Sequence, residues 1–339
     1  MKKLLLTLVA ACPLTVMAMQ ALPKSAEIPK DNKQTIEKIN LGKSLYFDPR
    51  MSINGTISCN SCHNLMLGGE DQRSVSVGVN GQKGGRSAPT VWNSAFHTVQ
   101  FWDGRAKSLE DQAVGPIGNP IEMGMPHFEM VIGRLKQIPG YVEMFEKAFG
   151  KDSISKDNIG KAIASFERTL IAGNSPFDKY MHGNKKAMTV QAQRGMKLVQ
   201  EVGCVVCHAG ANFNGENLKM GEGNFQKFPV FTDNDFVKKY NFMADTGRFD
   251  FTKNENDKHM WRVPTWRNIA LTAPYFHNGS VRTLDEAVTV MAKVQLNLDL
   301  KDNQVSDIVA FLESLTGIFP KIDMPRLPPT PKTTLYDLN

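Results

Sequence analysis

The sequence predicts an all-α protein of two tandem units with long loops. Three observations carry that prediction. Apolar residues recur at helical rather than strand spacing through most of the chain. The pentapeptide Cys-x-x-Cys-His occurs twice, at Cys59–His63 and Cys204–His208, roughly half the chain apart. A length of 339 residues is large for one core and sufficient for two modest ones.

The elements follow in order. Lys2-Lys3 precede an apolar run from Leu4 to Ala11, and small residues follow, with cleavage points after Val16-Met17-Ala18 or Met19-Gln20-Ala21. This is the layout of an export signal, too short to span a bilayer permanently. Residues 1–21 are read as a signal peptide and the mature protein as soluble in the periplasm. Val9-Ala10-Ala11-Cys12 resembles a lipoprotein box, but its early position disfavours acylation of Cys12. Ile36, Ile39 and Leu45 then mark a helix before the first motif. Pro126 opens another with Phe128, Val131, Ile132, Leu135 and Ile138. Ile159, Ala162, Ile163, Phe166 and Leu170 form a third, and Gly173-Asn174-Ser175-Pro176 interrupts the pattern. The first domain is therefore 22–178 and the second 179–318.

In the second unit, Thr189 caps a helix bearing Ala192, Met196 and Val199 that runs into Cys204. Thr283 and Glu286 form a capping-box pair before Ala287, Val290 and Met291. Val305, Ile308, Val309, Leu312 and Leu315 mark the last helix. The proline-rich tail 319–339 cannot be helical throughout and is a candidate to pack back on the first domain. Loops 66–100 and 210–265 are rich in Gly, Asn and Asp, and loops of that length call for function or a ligand to order them. Hydrophobic content is 41% and net charge +6, with no concentrated basic stripe, so nucleic acid is excluded as a partner.

Five Cys are present; Cys12 belongs to the signal and the other four make the two motifs. Exported Cys pairs usually become disulfides, and the spacing alone also suits a redox dithiol or half a zinc site. The His after each pair decides between these. Two thiols add to the haem vinyl groups while the adjacent imidazole reaches the iron, which requires all three residues in one helical turn. Zinc would need four ligands at each site and gives no reason for the repeated His. The motifs are read as two covalent c-type haems, one per domain, at Cys59/Cys62/His63 and Cys204/Cys207/His208. A haem with a strong sixth ligand carries electrons, and one with an open position does chemistry. Met291 lies where a sixth ligand for the second haem belongs, although one Met of 17 is, on spacing alone, more readily a core residue.

The segments Phe101-Trp102-Asp103-Gly104-Arg105-Ala106, Asn119-Pro120-Ile121-Glu122-Met123 and Leu271-Thr272-Ala273-Pro274-Tyr275-Phe276-His277-Asn278-Gly279-Ser280 resemble the bacterial dihaem cytochrome c peroxidases, in that family's order and spacing over almost all of the mature chain. The resemblance implies tandem cytochrome c-like domains, a peroxidatic N-terminal haem and a C-terminal His/Met relay with Met291 as axial ligand. It implies Glu122 as the carboxylate that shuttles a proton across peroxide, which is general acid–base catalysis. Gln112 matches the amide that orients peroxide, and Trp102 the indole between the haems. Electrons would come from a small reduced donor, a cytochrome c or a cupredoxin. A calcium ion between the domains is implied too, with Thr272 and Pro274 as carbonyl donors and Ser87 at a position the family fills with Asn; a hard cation tolerates hydroxyl or water oxygen there. A homodimer is implied by the family alone.

One departure is informative. Many members carry a His where this chain has Val79, and that His ligates the peroxidatic iron at rest. Val cannot, so the first haem is expected to be open without reductive activation, unless His97 or Lys83 substitutes. Two rival readings stand beside the peroxidase: a dihaem electron carrier, which Glu122 with Gln112 disfavours, and the methylamine-utilisation enzymes, which oxidise a partner protein and carry Tyr at the Met291 position. His277 is read as structural, and His127, His182 and His259 as surface or loop residues.

Overall fold

The computed structural model describes residues 19–331 and 335–336. The segment through residue 18, Cys12 included, lies outside the described residues. In chain order the elements are α1 (Ile36–Phe47), α2 (Cys59–Cys62), α3 (Leu109–Gly118), α4 (Phe128–Lys136), α5 (Pro139–Phe149), α6 (Lys156–Glu167), α7 (Pro176–Met181), α8 (Val190–Glu201), β1 (Phe225–Lys227), α9 (Asp235–Lys239), α10 (Phe249–Thr252), β2 (Met260–Arg262), α11 (Leu284–Leu296) and α12 (Asp302–Glu313). Among the described residues the protein is mostly α, with one two-stranded antiparallel sheet in which Phe225 faces Arg262. Strands of three residues are too short to leave an alternation in the sequence, so the loop 210–265 gives no sign of the sheet it contains.

The helices gather around separate cores. Leu41 and Leu45 of α1, Ile117 of α3, Phe145 of α5 and Ile159, Ile163 and Phe166 of α6 fill one. Val199 of α8, Phe177, Phe213 and Ile308, Phe311 and Leu312 of α12 fill a second. A third lies between α9 and α11, with Phe242, Trp261, Val290 and Val294. The same device closes both main helix pairs. A Cβ on Gly42 of α1 would lie 1.8 Å from Ala162 O of α6, and one on Gly195 of α8 would lie 1.8 Å from Asp307 O of α12. Only glycine lets these backbones touch.

Several boundaries move from their sequence positions. Pro126 precedes the N-cap of α4, and Ile138 caps the next helix, where Pro139 takes the first turn. Ile36 is 61% exposed at the first position of α1. Thr283 Oγ1 accepts from Glu286 N, but the Glu286 carboxylate turns to Lys239 and Tyr240, so only half of the capping box forms.

The chain ends cross over. Met19 is buried in the second core and bridges to Gly210. Leu22 N–H donates to Asp178 Oδ1 at 2.9 Å, and Arg267 Nη2 donates to Gln20 O at 3.0 Å. At the other end, Phe319 packs edge-on against Trp92, and Ile322 and Leu335 lean on the first core.

Candidate dihaem site

Both Cys-x-x-Cys-His segments wind into a single turn. His63 N–H donates to Cys59 O at 2.9 Å, and His208 N–H to Cys204 O at 3.1 Å. All four thiols are free. Each imidazole is aimed the same way: His63 Nδ1 lies 2.9 Å from Pro89 O, and His208 Nδ1 3.0 Å from Phe213 O. A carbonyl only accepts, so Nδ1 carries the proton and Nε2 keeps its lone pair for a metal. Burial lowers the pKa of His63 and takes that of His208 down to about 4, which keeps both rings neutral. Trp266 stacks on His208 at 4.3 Å. Tyr46 Oη donates to His63 O at 2.6 Å.

Cys204, Cys207 and His208 open into an apolar cavity that Met291 of α11 also lines. Trp102, Ser87 and Pro89 line the same cavity. The Trp102 indole N–H donates to Ser87 O at 2.8 Å. Two residues further on, Pro89 O receives the His63 Nδ1–H. One short run of backbone therefore joins the wall of the second cavity to the imidazole of the first motif. Thr272 and Pro274 also line this cavity, beside Ser87.

Burial raises the Cys62 thiol pKa, and Glu122 lies near enough to add to the rise. Burial also raises the Glu122 pKa, and the Arg105 guanidinium opposes the shift. The helix carrying Gln112, α3, ends in the turn that carries Glu122: Glu122 N–H donates to Asn119 O at 3.2 Å and Met123 N–H to Pro116 O at 3.2 Å. Arg105 lies 3.5 Å over the Phe101 ring and is paired with Asp103 at 2.9 Å. Val79 is 1% exposed, and its N–H donates to Glu122 O at 2.9 Å. Its loop packs so closely that a Cβ on Gly78 would meet Ile121 O at 1.9 Å.

Residues 36–186 match the family described as di-haem cytochrome c peroxidase. The cytochrome c551 peroxidase of Nitrosomonas europaea is 44% identical over 309 residues, covering 90% of this chain and 88% of that one. The chain belongs to the di-haem cytochrome c peroxidase family. The Pseudomonas aeruginosa cytochrome c551 peroxidase is also 44% identical, over 87% of this chain and 83% of that protein. Among solved structures, a MauG-like protein associated with microbial copper homeostasis matches with a TM-score of 0.76 and 31% identity, over 87% of this chain and 95% of that one.

The family's two haems suit what the chain presents: free thiol pairs, neutral imidazoles with Nε2 available, and an apolar cavity closed by a thioether. Of the two candidate substitutes for a distal His, Lys83 stays on the loop that carries Val79, bridged to Val77, whereas His97 stands elsewhere. Lys83 is exposed. His97 lines the second cavity, held by Arg262 Nη1 at 2.7 Å and Asn214 Nδ2 at 2.8 Å, so it does not belong to the first site. His277 is buried in the cavity wall, stacked on Trp261 at 4.1 Å. His127 and His182 are exposed, whereas His259 is a buried loop residue whose Nδ1 meets Asp245 O at 2.9 Å.

Sequence reasoning passed over Arg105, although it lies inside a quoted segment, and also Arg262 and two buried acids. Burial pushes Glu70 up to about 7 and Glu167, whose charge faces Cys59, up to about 8. A lone Glu in a sequence carries no sign of being buried.

Proposed function

We propose that the protein is a periplasmic cytochrome c peroxidase. It reduces hydrogen peroxide to water with electrons from a small reduced donor, a cytochrome c or a cupredoxin. Cys204, Cys207, His208 and Met291 would hold the haem at which electrons enter, and Cys59, Cys62 and His63 would hold the haem to which they pass. The observation that carries this reading is the run Trp102–Ser87–Pro89–His63, which links the second cavity to the first imidazole by hydrogen bonds and two residues of chain.

The haems supply the redox chemistry; the chain supplies position and protons. The Pro89 carbonyl fixes His63 with Nε2 outward. Glu122, whose pKa burial raises against the opposing pull of Arg105, takes a proton from one peroxide oxygen and returns it to the other, which leaves as water. Gln112, on the helix that ends at the Glu122 turn, holds the peroxide by its carboxamide. Two protons and two electrons complete the conversion to two waters. Buried Val79 offers iron no ligand, so a haem held by His63 would be open at rest. Ser87, Thr272 and Pro274, which line the same cavity wall as Trp102, would hold a calcium ion, which would supply a structural charge there. The two tandem units divide near Gly173–Pro176, ahead of α7, because Phe177 already packs in the second core, and the working unit is a homodimer. Cleavage of the export signal after Ala18 fits the burial of Met19 better than cleavage after Ala21.

The methylamine-utilisation reading asks for Tyr where Met291 stands, and Met closes the second haem to that chemistry. The deciding experiment is peroxide-dependent oxidation of a reduced small cytochrome by the dihaem protein. Turnover supports the peroxidase; none, even after prior reduction, would leave the electron carrier.

A further inference from the structure

Arg262, at the end of β2, is 4% exposed and lines the cavity that opens from Cys204, Cys207 and His208. Its side chain donates to Phe101 O from Nε at 3.0 Å, to His97 Nδ1 from Nη1 at 2.7 Å and, weakly, to Val263 O at 3.4 Å. Every one of these acceptors is neutral. An arginine stays protonated in proteins, and a buried charge without a counter-charge costs several kcal/mol.

Three other guanidiniums withdrawn from solvent are paired with acids. Arg267 meets Asp178 at 2.7 Å, Arg168 meets Glu110 at 2.7 Å, and Arg86 meets Asp103 and Asp245. Asp103 is the acid whose charge Arg262 feels, but its oxygens are already taken by Arg86 at 2.7 Å and Arg105 at 2.9 Å. No ion pair involves Arg262 among the described residues. The missing anion must come from whatever fills the cavity. A haem is apolar except for its two propionate carboxylates, and a planar guanidinium is the side chain that matches a carboxylate two bonds at a time.

The same residue grips the inter-site segment. Arg262 N–H donates to Trp102 O at 2.8 Å, while Nε holds Phe101 O. Phe101 has φ of 66°, a left-handed conformation that a bulky residue keeps only when its surroundings hold it.

We propose that Arg262 pairs with a propionate of the second haem and, through its hold on Phe101 and Trp102, positions the indole between the two sites. This rests on the reading that a haem is attached at Cys204 and Cys207. Arg262 is then a positioning residue: one end is anchored on the cofactor and the other on the backbone of the residue that relays its electrons. A positive charge at the propionate also disfavours the more positive oxidised haem, so it raises the potential.

The test compares the dihaem parent with R262Q, R262K and the surface control R194Q, whose target pairs with Asp307 in the open. The readouts are the propionate bending modes of the high-potential haem in resonance Raman spectra, its midpoint potential, and kcat and KM for the reduced donor. In R262Q the propionate mode shifts, the potential falls and kcat drops with KM for the donor unchanged. R262K lies between R262Q and the parent, and R194Q matches the parent in all readouts. A folded dihaem R262Q with parental propionate modes and potential would overturn the proposal. If R262Q does not accumulate, R262K decides, because unshifted propionate modes there overturn it equally. A parent without haem on the peptide containing Cys204 and Cys207 would instead overturn the haem assignment, and this inference with it.

Discussion

Replacing Glu122 by Gln separates proton transfer from everything else at the first site. The amide keeps the volume and can still hydrogen-bond, but it cannot carry a proton. The backbone around it is held independently of the side chain, by Val79 N–H on Glu122 O at 2.9 Å and by Glu122 N–H on Asn119 O at 3.2 Å. The turn should therefore survive the change. Burial disfavours the ionised carboxylate, so a neutral amide costs the fold nothing and the unfolding midpoint stays level or rises. Catalysis is different. A positioned proton carrier contributes about 10²–10⁴-fold, which is about 3–5 kcal/mol of barrier. E122Q should lose kcat by that factor at saturating peroxide, with both haems attached and the potential of the second haem unchanged. The assay is steady-state oxidation of a reduced donor beside potentiometry. A fully loaded E122Q with kcat within about threefold of the parent would refute Glu122 as the proton carrier, because that is far short of the general acid–base range.

Other expectations follow from the same contacts. Arg105 opposes the burial-driven rise in the Glu122 pKa, so R105Q should raise that pKa further. Glu122 must be ionised to take the first proton, and the acid limb of kcat/KM should therefore move to higher pH; an unmoved limb would separate the two residues. Asp178 is 2% exposed and loses by burial, but Arg267 and the N–H groups of Leu22 and Ser175 outweigh that cost and hold its pKa below 3.8. Its contribution to stability is complete above pH 3.8 and fades as the pH falls below it. D178N should cost about 3–5 kcal/mol in urea unfolding at neutral pH, since it leaves a buried guanidinium unpaired. Electron paramagnetic resonance of the fully oxidised protein should show a high-spin first haem, and V79H should convert it to low spin and make turnover depend on prior reduction. A parent with only low-spin signals would refute the open site.

Much of the local structure was legible in the sequence. Thr189 and Thr283 cap the helices they were expected to cap, and the tail from Phe319 is irregular in its described part. Helix ends were read less well at Pro126 and Ile138. A proline marks the neighbourhood of a helix start without saying whether it stands at the first turn or before the cap, and an apolar residue in an N-cap position looks like one more helical contact.

What the sequence alone determined was the chemistry carried by adjacent residues. Cys, Cys and His within one turn are enough to propose a haem attachment point, because the turn that joins them is local. Only the tertiary structure decided which distant residues serve it. It brought Pro89 to His63, Ser87 to Trp102 and Arg105 to the neighbourhood of Glu122, moved His97 to the second cavity, and left Arg262 buried without an acid. Burial and counter-charge are properties of the closed fold: a guanidinium's need for a partner exists only once the chain has removed it from water and used the neighbouring acid elsewhere.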